Sequence, residues 1–539
     1  MCYVYFAVGL MIEINRINEA RFEKHPLVLL VLDGFGLADS AAPGNAITPE
    51  TAPHIFSLME NYPWAELNTT GEAVGLFPGQ KGNSEAGHMC LGTGRIVEQD
   101  ILRISSAIED GTFFKNEAFK QAVRHRQKHN SAAHVMGLLT AEHSAHAYPE
   151  HLYAMLEYLR REGVREVYLH IFTDGRDTPP HQAVELLREL REHMTGDEKV
   201  ATIMGRFYAM DRAKHWDRTE AAYDAMTLGV APHQAESAEA AIVRAYNCNL
   251  TDEYIEPTVI TEGSKPVGVI GDHDIIFFIN ARSDRARQLT KTFVQSEFTE
   301  GNSGAFTRKT SPQNILFVEM TDFGPDLDSV LTAFPSPDVE ESIVQVLGID
   351  GRQLYISEAE KYAHVTYFLN GGYAETRGGE KRIKIASEAI ESYADKPEMN
   401  SPQMTAEIIR QLEMGEKLFI CANYPNADMV GHTGDFEAAK RAVAILDGEI
   451  QKITRAVLSR LGRLIILADH GNAEEMIDPA TGEMMTEHTQ NPVPCIIVSE
   501  MDQYLVLRPG LLSDVVPTIL DLYGIEKPEE MTGRSLINP

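Results

Sequence analysis

Residues 27–36 read LVLLVLDGFG: six aliphatic residues in a row, then a carboxylate and a glycine-flanked turn. The apolarity is continuous rather than alternating, which predicts a strand covered on both faces, as in a parallel sheet. Asp33 therefore falls at the carboxyl end of a strand, where open α/β sheets gather their ligands. Similar runs occur at Val135–Leu139, Val167–Phe172, Ile275–Ile279, Leu418–Cys421 and Leu464–Ala468. Between them lie helical patterns, such as Leu152, Met155, Leu156 and Leu159, or Val443, Leu446, Ile450, Ile453 and Val457. Strands alternating with helices predict an α/β protein with mostly parallel sheets. No repeat of 20 to 50 residues is visible, which argues against a solenoid.

At about 150 residues per domain, 539 residues allow two to four domains. The 43% hydrophobic and 24% charged content is that of a folded globular chain and excludes a disordered one. The net charge of −31 argues against nucleic acid or an anionic membrane as partner. It leaves room for a small anion held by a few arginines. Cys2, Cys90, Cys248, Cys421 and Cys495 are scattered and odd in number, which predicts reduced thiols of a cytoplasmic protein. Residues 2–11 are apolar but too short to span a bilayer, and they lack a signal peptide's basic region and cleavage site. They are read as a tail, or Met11 as the start. Linkers are expected near Leu102–Gly111 and at Phe334–Asp338 (FPSPD), and the polar stretch 300–312 reads as a surface loop.

Strand ends carry further metal-type ligands. KLFICANYPNAD leads to Asp428 and His432, LIILADH ends at Asp469 and His470, and His488 follows in TEHTQNPVP. Asp428 and His432 are spaced i, i+4 and share a face if that turn is helical. Carboxylate and imidazole suit Mn²⁺ or Zn²⁺ without any thiolate, and the number of groups suffices for two ions. One Asp after a strand is often only a helix cap, and one His is more often structural. Four such segments together are hard to explain that way. Residues 82–88 read GNSEAGH, with Ser84 between small neighbours that let a phosphoryl group approach the backbone. A serine hydroxyl is a weak nucleophile at neutral pH, and a metal ion can stabilise its alkoxide, much as it lowers the pKa of water from 15.7 to about 7.

VLDGFG, GNSEAGH, DGRDTPP, GRFYAMDR, ARSDRAR, EKYAHVTYF, NYPNADMVGHTG, ADHGNAE and EHTQNPVP occur in that order. From about residue 26 onward the chain resembles the 2,3-bisphosphoglycerate-independent phosphoglycerate mutases, a family of the alkaline phosphatase superfamily. The resemblance implies two α/β domains, an alkaline-phosphatase-like domain interrupted by an inserted phosphotransferase domain. The expected division is an extension at 1–25, phosphatase-like parts at 26–104 and 335–539, and the insert at 105–334. It implies two Mn²⁺ ions, with Zn²⁺, Co²⁺ or Mg²⁺ compatible, and no bisphosphoglycerate. One ion would be held by Asp428, His432 and His488, the other by Asp33, Ser84, Asp469 and His470. Ser84 would become phosphoserine. Arg282, Arg285 and Lys361 would bear the phosphoryl charge, and His146, Arg176, Asp177, Arg206 and Arg212 would contact the substrate. Asp177 would handle the hydroxyl protons, and Ser84, Asp177 and Lys361 would be catalytic. Guanidinium forks match carboxylate and phosphate geometry, although any one arginine alone is more often a surface ion pair.

These features imply a cytoplasmic, monomeric enzyme that interconverts 3-phosphoglycerate and 2-phosphoglycerate in glycolysis and gluconeogenesis. Water must be kept from phosphoserine, which implies hinge motion at the two linkers. The chain departs from the family at TAEHSAHAYPEHL, where a stretch like SDGGVHSH is usual. Its glycines are gone and one residue is inserted, so the functional histidine is His146 counting back from His151-Leu152, or His143 counting forward. Ser283 also replaces a more usual Pro or Ala. The nearest alternative is a metal-dependent phosphomonoester hydrolase of the same superfamily. A phosphopentomutase and an inactive phosphate-binding protein are disfavoured by the arginine motifs and the complete ligand set.

Overall fold

All six side chains of Leu27–Leu32 are fully buried, so both faces of this strand are covered, and it has a parallel neighbour on each edge. Burying each side chain is worth about 1.5–3 kcal/mol relative to leaving it exposed. The computed structural model describes residues 18–538 other than 143, 325, 336–338, 388, 389, 391, 479 and 480. It divides into two units, 1–99 with 338–539, and 100–337.

The sheet of the first unit has the strand order Lys381–Ile385, Gln353–Glu358, Phe419–Tyr424, Leu27–Leu32, Arg463–Leu467, Val493–Val498, Trp64–Asn68, Gly510–Leu511. The first five run parallel, and Val493–Val498 is antiparallel to its neighbours. The register aligns the strand ends: Leu32 pairs with Tyr424, and Val31 with Leu467. The loops that follow these three strands therefore start side by side. The helix Phe436–Leu458 buries Val443, Leu446, Ile450, Ile453 and Val457 in the same core, the face its spacing predicted.

The second unit has the order Val330–Thr332, Leu316–Glu319, Ile275–Phe278, Ala133–Leu139, Val167–Thr173, Glu198–Gly205, Thr258–Glu262, His233–Ala235, with Lys265–Pro266 paired to Thr258–Glu262. Its strands are parallel except at Glu198–Gly205 with Thr258–Glu262 and at that hairpin. The α/β class with mostly parallel sheets is thus what the chain adopts. Among the described residues no helix is long and apolar enough to cross a membrane. Cys90, Cys248, Cys421 and Cys495 are free, and Cys2 lies outside the described residues.

Three expectations change. The segment read as a linker near Leu102–Gly111 is mostly the helix Asp100–Glu109. Ile101, Ile104 and Ile108 form an apolar stripe at helical spacing that packs in the second unit's core. In the segment 334–338, Phe334 stacks on Phe113 at 5.9 Å and belongs to that core too, while residues 336–338 lie outside the described ones. Part of the expected extension is also folded: residues 18–24 are helical, and Phe22 is fully buried and stacked on Tyr523 at 3.9 Å.

Glu319, at the end of its strand, is 1% exposed, and among the described residues only Thr332 Oγ1 (2.7 Å) and Phe323 N (3.3 Å) donate to it. Burial pushes its carboxyl up to about 7 from 4.5. Between those values the folded chain holds a proton that the unfolded chain releases, so this group's stabilising contribution is lost as pH rises through that window. Glu319→Gln should be more stable than the parent above pH 7, by about 1–3 kcal/mol, with the difference shrinking towards pH 5. Denaturant melts of both chains at pH 5 and pH 8 check this.

Candidate functional site

The aligned strand ends of the first unit bring three carboxylates together. Asp33 N–H donates to the Tyr424 carbonyl and Asp428 N–H to the Asp33 carbonyl, each at 3.0 Å. Gly34 makes this approach feasible: its φ is +77°, and a Cβ there would sit 2.7 Å from the Asp428 backbone nitrogen. Asp33, Asp428 and Asp469 are all at most 1% exposed. Lys361, from the segment after Gln353–Glu358, donates to Asp33 Oδ1, Asp428 Oδ2 and Ser84 Oγ, each at 2.8 Å. Burial opposes its charge, but Asp33, Asp428 and Asp469 outweigh this and hold the ammonium well above its usual range.

Ser84 is the first residue of the helix Ser84–Thr93, capped by Asn83, whose side chain accepts from Ala86 N at 2.9 Å. Its Oγ is 2.9 Å from His470 Nε2 and 3.4 Å from Asp33 Oδ1. The helix N-terminus favours negative charge at this position.

The imidazoles test whether the cluster suits a cation. His432 Nδ1 faces the Thr486 carbonyl at 2.6 Å, and His488 Nδ1 faces the Gly82 carbonyl at 2.8 Å. A carbonyl only accepts, so each Nδ1 carries a proton and each Nε2 is turned towards Asp428, free to act as a ligand when the ring gives up its second proton. These two Nε2 atoms lie 3.2 Å apart, each 3.2 Å from Asp428 Oδ1. Two imidazole nitrogens and a carboxylate oxygen converge on one point, a donor set that fits a metal ion. A second group, Asp33, Asp428 and His470, has ligand atoms within 4.8 Å of one another. Among the described residues neither buried oxygen of Asp469 has a well-aligned donor; His88 Nδ1 lies 3.3 Å from Oδ2 but bonds the Ser84 carbonyl at 2.8 Å. Asp469 Oδ2 is 3.6 Å from His470 Nε2. All seven residues expected at the metals, with Lys361, are thus brought together.

Sequence reading missed the residues that hold these ligands. Asn423 Nδ2 donates to Asp33 Oδ2 (2.7 Å) and Asn472 Nδ2 to Asp428 Oδ1 (3.0 Å). Buried Glu474 accepts from Gly36 N and Asn472 N and pairs with Thr489 Oγ1, tying together the loops of Asp33, His470 and His488. Its place three residues after Gly471 in ADHGNAE was the available signal.

The second unit gathers the arginines. Arg206, 3% exposed, uses Nη1 to bond Asp174 Oδ1 at 2.6 Å and Asp177 Oδ2 at 2.9 Å. Asp177 also accepts from Ser144 Oγ at 2.7 Å. Asp284 faces Arg212, Arg282 Nε at 3.4 Å and His146 Nδ1 at 3.6 Å. His146 is pushed down to about 4, mainly by burial, so it is neutral at pH 7. Arg285 is lowered by burial and by the charges of Arg212, Arg206 and Arg176, the signature of a local positive field in an acidic chain. A cavity of about 200 Å³ is lined by Arg176, Arg206, Arg218, Arg285, Phe207 and Tyr254 among others. Arg176 is exposed and 3.8 Å from Glu253. Asp174, Asp284 and Arg218 were not anticipated, although Asp174 ends an apolar strand as Asp33 does. His143 lies outside the described residues.

A family described as BPG-independent PGAM N-terminus matches residues 104–325. The 2,3-bisphosphoglycerate-independent phosphoglycerate mutase 1 of Methanosarcina barkeri is 47% identical over 518 residues, covering 95% of this chain and 98% of that protein. The corresponding mutase of Acetivibrio thermocellus is 43% identical over 514 residues, covering 95% and 99%. Among solved structures, Leishmania mexicana phosphoglycerate mutase at low cobalt concentration gives a TM-score of 0.74 at 28% identity, covering 96% of this chain and 98% of that one.

The converging Nε2 atoms predict that Mn²⁺ raises the melting temperature. At 100 times its Kd an ion adds about 2.7 kcal/mol. In His488→Ala the Mn²⁺-induced shift should shrink by at least half, read by calorimetry with Mn²⁺ against chelator.

Proposed function

The chain belongs to the 2,3-bisphosphoglycerate-independent phosphoglycerate mutases, and on that premise we propose that Ser84 carries the phosphoryl group between the two hydroxyls of glycerate. It is an isomerase that interconverts 3-phosphoglycerate and 2-phosphoglycerate. One observation carries the assignment: Ser84 Oγ sits at a helix N-terminus, 2.8 Å from a buried ammonium and 2.9 Å from an imidazole.

In the first half-reaction Ser84 Oγ gives up its proton as it attacks phosphorus, the bond to the C3 oxygen breaks, and that oxygen takes up a proton. In the second, the C2 hydroxyl gives up a proton as it attacks phosphoserine, the bond to Oγ breaks, and Oγ regains a proton. Two protons are given and two taken, so none is consumed. Lys361 keeps its charge and offsets the negative charge that builds on Oγ. Asp177 is assigned to the hydroxyl protons. His146, Arg176, Arg206 and Arg212 are assigned to the carboxylate and hydroxyls of glycerate, and Arg282 and Arg285 to the phosphoryl oxygens. Two Mn²⁺ ions, or Zn²⁺, Co²⁺ or Mg²⁺ on the same ligands, would be held by Asp428, His432 and His488 and by Asp33, Ser84, Asp469 and His470, and would supply Lewis acidity.

In this reading 1–99 with 338–539 is the phosphatase-like domain and 100–337 the inserted phosphotransferase domain. The place of action is glycolysis and gluconeogenesis in a reducing cytoplasm, for which the scattered free thiols speak. The enzyme acts as a monomer, and a charge of −31 opposes self-association. The hydrolase alternative is not favoured, since relatives covering nearly the whole chain are mutases by name.

Phosphorus NMR with 3-phosphoglycerate and Mn²⁺, without bisphosphoglycerate, should show 2-phosphoglycerate and little inorganic phosphate. Inorganic phosphate as the main product would mean hydrolysis. Ser84→Ala should lose activity by about a thousandfold or more, and a variant that kept full activity would end the phosphoserine reading.

A further inference from the structure

The remodelled loop TAEHSAH, where this chain departs from its family's usual stretch, places a hydroxyl against Asp177. Ser144 is 4% exposed. Its Oγ lies 2.7 Å from Asp177 Oδ2 and 3.2 Å from the backbone nitrogen of His146. The chemistry of the two partners fixes which way the hydroxyl points. A backbone N–H only donates, so Oγ accepts from His146. An ionised carboxylate only accepts, so the Ser144 proton goes to Asp177.

We propose that Ser144 is a positioning residue for the mutase reaction, holding Asp177 in the ionised form and in the orientation that receives the substrate hydroxyl proton. The proposal rests on the reading of Asp177 as the proton acceptor. Ser144 and Arg206 Nη1 both bond Oδ2, and among the described residues no hydrogen bond falls on Oδ1. The pair clamps one oxygen and leaves the other for substrate. Because the same Oγ accepts from His146 N, a single atom links the backbone of one substrate-contacting residue to the carboxylate of another.

The ionisable groups around Asp177 are few. Arg206 comes from the helix Arg206–Ala209, His146 from the loop of Ser144 itself, and Asp174 from three residues earlier, where its Oδ1 accepts from Asp177 N at 3.0 Å. Asp284 and Arg282 flank His146. Asp174 is already committed: it takes the other hydrogen of Arg206 Nη1, the Arg176 amide and the Thr140 hydroxyl. Burial works against the charge on Asp177, and the Ser144 hydroxyl, then Arg206, more than offset it. Loss of the hydroxyl leaves Arg206 as the main support of the charge, shared with Asp174.

The experiment compares the full-length parent, Ser144→Ala, Ser144→Thr and Asp177→Asn, each loaded with Mn²⁺. In the second half-reaction the C2 hydroxyl proton passes to Asp177 as its oxygen forms the bond to phosphorus and the bond to Ser84 Oγ breaks. The acid limb of the kcat/KM profile should therefore follow the ionisation of Asp177. In Ser144→Ala that limb should move up by about 0.5–1 pH unit, with kcat down about 5- to 20-fold and KM changed less than about twofold. Ser144→Thr keeps the hydroxyl and should restore both. Carboxyl-carbon NMR of Asp177 should show the same upward shift in Ser144→Ala without relying on turnover, and melting curves confirm that the variant is folded. An unmoved acid limb and an unmoved Asp177 resonance, with Asp177→Asn inactive, would overturn the role of Ser144 alone. Full activity in Asp177→Asn would overturn the assignment of Asp177 and the proposal with it.

Discussion

Three buried carboxylates face one ammonium. Asp33, Asp428 and Asp469 lie together at no more than 1% exposure, and the Lys361 ammonium bonds Asp33 and Asp428. An unpaired buried charge costs several kcal/mol even after relaxation, so one lysine cannot satisfy this cluster on its own. The chain must either protonate it or fill it with further positive charge. The arrangement of the imidazoles favours the second course, because both exposed-side histidines donate from Nδ1 to backbone carbonyls and turn Nε2 towards Asp428. The strand ends of the first unit are thus suited to binding further cations.

The sheet makes that cluster affordable in geometry if not in electrostatics. Leu27–Leu32 lies between Phe419–Tyr424 and Arg463–Leu467, so ligands separated by hundreds of residues start from adjacent strand ends. Their precision comes from neutral donors and one buried acid. Asn423, Asn472 and Glu474 hold the carboxylates and loops without adding another exposed charge. The second unit inverts the logic: its buried Asp174 draws Arg206 inward, while other guanidiniums remain partly open and crowd one another. A cationic patch in a strongly acidic chain is held there by a few internal anions rather than by overall charge.

Much of this was legible in the sequence because it depends on short-range rules. Continuous apolar runs ending in Asp gave Asp33 and Asp469, and i, i+4 spacing gave Asp428 and His432, whose ligand atoms are 3.2 Å apart. Two classes of feature were not legible. The helix Asp100–Glu109 follows a glycine-rich stretch, and its Ile101–Ile104–Ile108 stripe was masked by polar neighbours and read as linker. Contacts made by single hydroxyls and amides, such as Ser144 with Asp177 or Asn423 with Asp33, carry no periodic signal, since Ser and Asn are also ordinary loop residues. A loop that departs from its family's pattern shows that something has changed, but its new hydrogen bonds appear only in three dimensions.

The split of the first unit has a consequence for the birth of the molecule. Leu27–Leu32 leaves the ribosome early, yet both of its sheet neighbours lie beyond the entire second unit. Roughly 390 residues must still be translated between Leu32 and Phe419, which at about 5–20 residues per second leaves the strand waiting tens of seconds for its first partner. The second unit has its own core and can fold during that interval. Meanwhile an all-aliphatic strand is without its sheet partners and exposed to pairing with another nascent chain unless it is transiently buried.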